Sequence, residues 1–467
     1  MNVSADFPAL KIIGSPGEMA GFIYGLKYPS LLILLQGNGE KNHSWLADVN
    51  RAFASRPEIA EGEADLPLLL PDVSLTEKIA LSILHWMGRL YSAAGVPVYE
   101  NGRKVMEEPD ESLVMIAVTT LSFLHKESLN IFSWLLEIFN LAAAEKDYQL
   151  FLDELAKIKK RLSPAACMLK NTERFLKESL RRRIPAVSLA GDIYQYGYGS
   201  RSRLLESTFT DSTTSIGVHF ARSKTSASCF LRMAGIPVPE QRIVRNIRDA
   251  EIAAEEIGFP VVVKPADLDG GIGVAAGLDS IEEVRTAFTA AFRESSNIVL
   301  EKHFEGHDFR LVVFQDELIF AVERVPGGVT GDGRSTVRQL VDQINSDPNR
   351  GDGERTLLKM LDLDEEALLL LGKKRMDAES VPPAGEFVKL RRTANIATGG
   401  SPLIASDRIH PDNAVLAVRA ARLFRLDLAG IDLLITDISR SWFEIGCVIC
   451  EVNAQPGLGG ITSSHLY

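Results

Sequence analysis

Two apolar, strand-like segments near the end of the chain carry the polar residues that most constrain its fold. Asp432 lies in the segment 430–434, and Glu451 and Asn453 lie in the segment 448–457. Side chains two residues apart on a strand share a face, so Glu451 and Asn453 point the same way. Three oxygen donors on neighbouring strands suit Mg²⁺, which often shares such ligands with phosphates. In the alternative, Asp432 and Glu451 end strands and pair with arginine or backbone donors.

Two lysines further upstream are candidate phosphate ligands. Lys264 ends the β-branched run 258–265, where a proline stops the predicted strand. Lys224 opens a helix-like segment that ends at the turn 235–239. Either lysine alone is more often a solvated surface residue. The glycine-rich turn 267–274 either lines an anion with backbone N–H groups or is a plain hairpin.

A polar bend joins two further predicted strands within residues 298–313. A polar bend between apolar flanks suits a purine slot, in which backbone groups read the adenine edge. A carboxylate two or three positions beyond Gly306 can then bind ribose hydroxyls. The sequence contains no phosphate-loop lysine motif and no paired-glycine dinucleotide fingerprint where either is needed. The order of lysines, bend and carboxylates therefore predicts adenine, phosphate and metal contacts.

Six motifs strengthen this interpretation: QYGYGSR at 195–201, TFTDSTTS at 208–215, GGVTGDG at 327–333, SVPP at 380–383, LRRTANIATGG at 390–400 and EVNAQPG at 451–457. With them, the chain resembles the ATP-grasp superfamily of carboxylate–amine ligases, and within it the ligase half of the cyanophycin synthetase family. The resemblance spans about residues 150–460, and the residues before it match only faintly.

The resemblance implies a role for each matching residue. The phosphates of ATP would contact Lys224 and Lys264, the adenine hinge would be Glu301, Lys302 and Phe304, Asp308 would hold ribose, and Mg²⁺ would bind Asp432, Glu451 and Asn453. Arg310 and Arg391 would steer the acyl phosphate and the substrate, and the turn 398–400 would be the substrate loop. Two alternatives remain open: Arg310 forms a structural pair with a neighbouring acid, and only one of Arg391 and Arg392 faces the site.

The implied reaction has two steps. ATP phosphorylates a substrate carboxylate, and an amine then attacks the acyl phosphate through a tetrahedral intermediate. Water must be excluded, so a mobile lid is expected, with the stretches 265–278 and 326–334 as its candidates. A regulatory protein or scaffold that binds nucleotide without turnover is the alternative function, and a kinase that stops at the acyl phosphate is a third.

The chain departs from the family in two places, and the first departure motivates the scaffold alternative. Gly270, Gly271 and Ile272 stand where the family has His, Gly and Arg, which affects phosphate closure and substrate choice. The printed sequence also ends at Tyr467 without a second, Mur-ligase-like domain. We therefore expect no two-step polymerisation.

Composition narrows the partners. A net charge of -11 argues against a general binder of nucleic acid or of anionic membranes. The expected partners are amino-acid or peptide substrates, and the family tendency is towards homo-oligomers. Four cysteines and no opening signal peptide predict a reducing cytoplasm. Cys447 and Cys450 should point to opposite strand faces, which disfavours zinc or redox chemistry.

The predicted fold class is α/β (α+β), an ATP-grasp fold with a small preceding α/β layer and an extra, mainly helical N-terminal domain. The predicted domains are the accessory region 1–155, the α/β layer 156–235, the lid lobe 236–325 and the lobe with the metal site, 326–467. Helices are predicted near 280–294, 336–345 and 411–424. The apolar stretches 113–125 and 130–144 are too short to span a bilayer and are predicted to be buried helices.

Overall fold

The computed structural model describes residues 10–19, 24–26, 28–37, 44–59, 73–107, 113–165, 170–268, 272–347, 350–351, 358–392, 394 and 399–458. The chain divides into two compact units, residues 1–207 and 208–467. This boundary falls inside the predicted α/β layer, and the four predicted domains stay a prediction. Gly270, Gly271 and Thr398 lie outside the described residues.

The first unit contains a mixed set of helices and strands. They are β1 (Lys11–Met19), β2 (Ser30–Gln36), α1 (Ser44–Ala54), α2 (Leu75–Ala94), β3 (Arg103–Glu107), β4 (Leu113–Thr119), α3 (His125–Ala143), α4 (Gln149–Leu152), α5 (Leu155–Leu162), α6 (Lys170–Arg181), β5 (Ala186–Ala190), β6 (Ile193–Tyr196) and β7 (Arg203–Glu206). The strands β1, β2, β4 and β3 form an antiparallel sheet in that order. This sheet lies among the predicted N-terminal helices.

One prediction in this unit is wrong. Residues 113–119 form strand β4 rather than part of a buried helix, whereas the second apolar stretch lies in helix α3 as predicted. Val114, Ile116 and Val118 are all buried in the core of the unit. β-Branched side chains favour strands over helices, which explains why this apolar segment forms a strand.

The second unit contains the segments that carry the candidate site. Its elements are β8 (Phe209–Thr210), α7 (Ser215–Arg222), α8 (Lys224–Met233), β9 (Gln241–Val244), α9 (Ile247–Ile257), β10 (Val261–Pro265), β11 (Ala275–Leu278), α10 (Ile281–Glu294), β12 (Ile298–Lys302), β13 (His307–Phe314), β14 (Glu317–Val325), β15 (Gly328–Thr330), α11 (Val337–Asn345), α12 (Glu365–Lys373), β16 (Phe387–Lys389), β17 (Ser401–Ile404), α13 (Pro411–Leu423), β18 (Leu428–Ile435), α14 (Trp442–Ile445) and β19 (Val448–Asn453). Helices α10, α11 and α13 confirm the three predicted near 280–294, 336–345 and 411–424.

These elements form three parts, each around its own apolar core. The floor is the sheet β17-β14-β13-β18-β19, packed on α7, α8 and α13. The second part, called the lid lobe from here on, is the sheet β11-β10-β12-β9 with α9 and α10. It is smaller than the predicted lobe 236–325, because β13 and β14 of that range belong to the floor sheet. The insert, residues 327–392, combines the β15–β16 pair with α11 and α12. Polar residues at the edges of these cores can therefore meet in the space between the parts.

The glycine-rich stretch 326–334 has a packing role in the insert. An added Cβ at Gly331 would lie 2.2 Å from the carbonyl oxygen of Pro383, and one at Gly328 would lie 2.5 Å from that of Val388. Backbone segments approach this closely only where no side chain intervenes. None of the described helices is both long and apolar enough to cross a membrane.

Candidate active site

The candidate site begins with a row of polar residues across three neighbouring strands. Arg310 on β13 lies opposite Asp432 on β18, and Asp432 lies opposite Glu451 on β19. Their sequence neighbours Phe309, Ile431 and Val452 are buried in the floor core. Because side chains alternate along a strand, the apolar set fills the core and the polar set occupies the other face.

Asp432 is the centre of a cluster of two carboxylates and two guanidinium groups. Both Oδ atoms of Asp432 accept hydrogen bonds from Arg310, and Arg324 lies 2.9 Å from Oδ2. Arg324 also donates to Asp308, with Nη2 and Nε at 2.6 Å and 3.1 Å from Oδ1. The row therefore extends to β14, where Arg324 pairs with Asp308 across the sheet.

Arg324 is the member of the cluster that sequence reasoning missed. The signal was present but weak: a single arginine near the end of the apolar run 317–325, two residues before Pro326. Only the pairing of β13 with β14 brings it opposite Asp308. A charged residue that interrupts an apolar strand is the kind of feature that marks such a position.

The charges fix the ionisation of Asp432. Burial alone raises the pKa of its carboxyl, but Arg310 and Arg324 outweigh burial, so this pKa lies below its ordinary value. Burial and the nearby Asp432 raise the pKa of Asp308, despite the opposing effect of Arg324. Asp432 is thus held as an anion in the centre of the cluster.

A glycine makes room for the Arg310 side chain. An added Cβ at Gly430 would lie 3.0 Å from Cδ of Arg310 and 2.9 Å from Cβ of Pro456. Gly430 precedes Asp432 by two residues on the same strand, so a side chain there would occupy the path of the guanidinium. The glycine of the 430–434 segment therefore serves the contact between Arg310 and Asp432.

The lid lobe contributes a buried ion pair. Lys264 Nζ donates to Glu301 Oε1 at 2.8 Å, and the two residues are 9% and 6% exposed. They lie on neighbouring antiparallel strands, β10 and β12. Burial alone lowers the pKa of the Lys264 ammonium, but the carboxylate of Glu301 outweighs it, so this pKa is raised. The carboxylate of Glu301 is therefore engaged by Lys264.

The other predicted hinge residues are held differently. The Lys302 ammonium donates to the carbonyl oxygens of Gly258 and Phe259, at 3.0 Å and 2.9 Å, at the end of helix α9. Its backbone N–H donates to the carbonyl of Glu240 at 2.8 Å. Phe304 follows β12 and is half-buried. The Lys302 side chain thus anchors the lid lobe, which leaves the hinge role of this segment as a prediction.

Lys224 lies against the floor. Its Nζ is 3.2 Å from Glu451 Oε1 and donates to the carbonyl of Leu268 at 2.7 Å. Leu268 lies three residues beyond Pro265, the last residue of the strand that carries Lys264. Lys224 therefore connects the floor carboxylate with the segment that leaves β10, and its role as a phosphate ligand stays a prediction.

The two arginines at 391 and 392 occupy different surroundings. The buried Arg391 guanidinium donates to Asp364 at 3.0 Å and to the carbonyls of Leu390 and Asp362 at 2.9 Å and 3.1 Å. Arg392 instead reaches the lid lobe, where Nη1 donates to the carbonyl of Ala276 at 3.1 Å. The side-chain contacts of Arg391 therefore lie within the insert, away from the floor cluster.

A β-bulge places a thiol beside the site. Asp432 pairs with Glu451 and Leu433 with Ile449, so Cys450 is the extra residue on β19. Burial, followed by the charge of Glu301, raises the pKa of the Cys450 thiol well above its ordinary value. Cys447 is buried in the floor core. The two cysteines therefore have separate surroundings.

The donor set suits Mg²⁺ together with phosphate. Asp432 and Glu451 pair directly, and Asn453 lies opposite Gly430, with Nδ2 at 3.5 Å from its carbonyl. Among the described residues, no group of three or more His, Cys, Asp or Glu side chains is arranged to hold a metal ion. Two carboxylates and an amide oxygen are hard donors, and Mg²⁺ usually completes its shell with water and substrate phosphates. These donor types suit a metal shared with a nucleotide. In the structure, however, both Asp432 oxygens accept from Arg310 and Glu451 lies against Lys224, so the alternative pairing is the one observed and metal binding stays a prediction.

Comparison with known families identifies the class of this fold. Residues 230–328 match the family model described as the D-ala D-ala ligase C-terminus, and residues 386–465 match the RimK-like ATP-grasp domain. These two segments contain ten of the eleven predicted site residues, and the remaining one, Lys224, lies six residues before the first segment. Both matches lie in the second unit, and they agree with the predicted ATP-grasp fold class.

Part of the chain is also similar in sequence to cyanophycin synthetases. It is 40% identical over 289 residues to cyanophycin synthetase of Nostoc sp., which covers 62% of this chain and 32% of the relative. It is 30% identical over 259 residues to the bifunctional glutathione biosynthesis protein of Clostridium perfringens, covering 54% of this chain and 33% of the relative. The chain thus spans about one third of the length of these relatives.

Solved structures include similar chains. A bifunctional glutathione synthetase from Pasteurella multocida matches with a TM-score of 0.48 and 20% identity, covering 82% of this chain and 58% of that one. The D-alanine–D-alanine ligase from Bacillus anthracis matches with a TM-score of 0.33 and 13% identity, covering 53% of this chain and 60% of that one.

Proposed function

We propose that this protein is an ATP-dependent carboxylate–amine ligase that forms an amide or peptide bond through an acyl phosphate. The observation that carries the proposal is the row of Arg310, Asp432 and Glu451 across three strands, with Lys224 against it, in an ATP-grasp domain. The identity to cyanophycin synthetase supports amino-acid or peptide substrates.

The proposed reaction has two steps, phosphorylation of a carboxylate and attack by an amine. A substrate carboxylate oxygen attacks the γ-phosphorus of ATP, the bond to the bridging oxygen breaks, and ADP leaves. The amine nitrogen then attacks the acyl carbon, phosphate departs with the former carboxylate oxygen, and the amine loses a proton. Both steps accumulate negative charge on oxygen, so fixed cations lower the barriers.

The residues of the chain have distinct roles in this proposal. Lys224 and Lys264 offset charge on the phosphates, and Asp308 binds ribose next to the 302–306 bend. Asp432, Glu451 and Asn453 would hold Mg²⁺, which supplies charge neutralisation and orients the phosphates when bound. Arg310 stabilises the oxyanion. Arg324 orients Asp308 and Asp432, since its guanidinium lies between their carboxylates.

Arg392 is the better candidate than Arg391 for a role near the substrate. The Arg391 guanidinium donates hydrogen bonds to Asp364 and to two backbone carbonyls of the insert. Arg392 reaches between the insert and the lid lobe. Loss of Arg391 should therefore act through the stability of the insert.

The test is the release of ADP and phosphate from MgATP with a panel of amino acids and dipeptides, together with mass spectrometry of the products. The expected result is a new amide mass formed one-to-one with ADP. Glu451→Gln should abolish ADP formation, whereas the matched control Glu444→Gln, an exposed residue paired with Arg440, should retain it. Binding of MgATP without turnover across the panel would favour the regulatory or scaffold function instead.

A further inference from the structure

The lid lobe and the insert meet through charged contacts rather than through a shared core. Each has its own apolar core, one around Val263 and Phe288 and the other around Val337 and Leu371. Between them, Lys373 at the end of α12 lies 2.8 Å from Glu283 and 3.8 Å from Asp279. Arg392 donates to the carbonyl of Ala276 at 3.1 Å.

All three partners in the lid lobe lie within residues 276–283. Ala276 is on the strand β11, and Asp279 and Glu283 stand at the beginning of helix α10. The Asp279 N–H also donates to Glu283 at 2.8 Å, so the two acids form one small anionic site. The insert meets this site with two cations.

The sequence provides these charges where helices favour them. Glu282 and Glu283 lie in the first turn of α10, and Lys373 lies in the last turn of α12. Acids stabilise helix N-termini and cations stabilise C-termini. Burial raises the pKa of Glu283, but Lys373 and the N–H of Asp279 outweigh it and keep this pKa low.

We propose that Lys373 and Arg392, with Glu283, Asp279 and the Ala276 carbonyl, form a clasp that holds the lid lobe against the insert and slows nucleotide release. The proposal rests on the proposed function, because it requires a nucleotide under the lid lobe. Strand β11 pairs with β10, and Ala275 lies opposite Val263, the residue before Lys264. Fixing β11 therefore fixes the strand that carries the phosphate lysine.

In this proposal, Lys373 and Glu283 are positioning residues. They lie outside the set predicted to touch the nucleotide, and they act through α10 and β11. Removing the clasp should increase the rate at which bound nucleotide leaves. The maximal rate of chemistry should change less, because the floor cluster around Asp432 is unaltered.

The test exchanges the charges of the clasp. Lys373→Glu and Glu283→Lys are made singly and together, and Lys374→Glu serves as the control. Lys374 has a similar exposed fraction, 43% against 41%, but pairs with Glu386 inside the insert. The dissociation rate of MgADP carrying a fluorescent N-methylanthraniloyl label is measured by stopped flow in each protein.

We expect each single reversal to raise the dissociation rate by about threefold to tenfold, because an exposed ion pair is a weak attraction and reversal turns it into a repulsion. The double reversal should be slower than either single reversal but should not recover the original rate fully, because the pair re-forms while both charges lie at the helix ends that disfavour them. Lys374→Glu should not change the rate. The difference between single and original proteins should shrink in 1 M salt. Equal rates in all variants, or a double reversal faster than either single one, would overturn the clasp.

A second measurement separates this proposal from the proposed function. If the unaltered protein does not bind MgADP, the nucleotide-binding proposal fails, and the clasp is tested by amide hydrogen exchange of α10 in the free protein. Each single reversal should speed exchange in α10, and the double reversal should exchange more slowly than Glu283→Lys alone, because only the ion pair is re-formed. Unchanged exchange in the single reversals would overturn the clasp there as well. Circular dichroism verifies that each variant is folded.

Discussion

Replacing Lys264 by methionine should destabilise the second unit as well as impair nucleotide binding. The Lys264 and Glu301 side chains are buried and their charged atoms lie 2.8 Å apart. At an effective dielectric constant of about 20, that separation corresponds to an attraction of about 6 kcal/mol. Methionine keeps the length of the side chain but leaves the Glu301 carboxylate buried without its cation.

Breaking a buried pair in this way typically costs about 3–5 kcal/mol, because the remaining charge keeps its desolvation penalty. For a unit of this size, that is a fall in melting temperature of about 6–20 °C. Adding Glu301→Gln should recover most of the loss, since the uncompensated charge is gone. ADP formation should stay abolished in both variants, because the phosphate lysine is absent from each.

The assay is urea unfolding followed by circular dichroism, with ADP release measured on the same preparations. Lys374→Met is the control, since its exposed pair with Glu386 should contribute at most about 1 kcal/mol. A Lys264→Met protein that unfolds at the same urea concentration as the original would refute the reasoning. So would a double variant no more stable than the single one.

Four further outcomes follow from the contacts of the site. Glu451→Gln should abolish ADP release while changing the unfolding free energy by no more than about 1 kcal/mol, because this carboxylate is partly exposed; urea unfolding checks the second part. Arg310→Gln should lower kcat for ADP release about 100-fold to 1,000-fold, as loss of an oxyanion donor does. Arg391→Met should lower the urea midpoint but leave kcat of the folded fraction within about threefold, since its contacts are to Asp364 and backbone carbonyls. The pKa of Asp432 in the folded protein is lowered, so the stability that this carboxylate contributes is present above about pH 4 and is lost as the pH falls through that pKa. Urea unfolding between about pH 5 and pH 2 measures this loss. The Asp432→Asn variant should show a smaller dependence of stability on pH in this range.

Local patterns in the sequence predicted the elements that depend on short-range information. Helices α10, α11 and α13 have serine, threonine and histidine N-caps followed by periodic apolar residues. The candidate residues Asp432, Glu451 and Asn453 were also visible, because strand alternation fixes which side chains share a face. Strand β4 was missed because an uninterrupted apolar run has no period to separate strand from helix.

Long-range pairing could not be predicted in the same way. Arg310 and Asp432 are 122 residues apart, and their contact depends on the register of β13 with β18. The same is true of Arg324, whose role follows from its position opposite Asp308. Whether Arg391 or Arg392 faces the site depends on which of them pairs with Asp364. Two adjacent arginines look alike in the sequence, so the sequence alone could not distinguish them. Arg310 pairs with Asp432 in the structure, which is the alternative left open by the sequence. The catalytic role of Arg310 stays a prediction.

The three separate cores of the second unit have a consequence for how this sequence can change. Residues that do not share a core contribute to stability almost additively when they are well separated. A substitution at Phe288 in the lid lobe and another at Ile431 in the floor should therefore act independently. The lid lobe and the insert can therefore accumulate internal replacements without disturbing the floor strands that carry the carboxylates. The parts of the second unit that can vary in sequence are therefore different from the part that carries the candidate site.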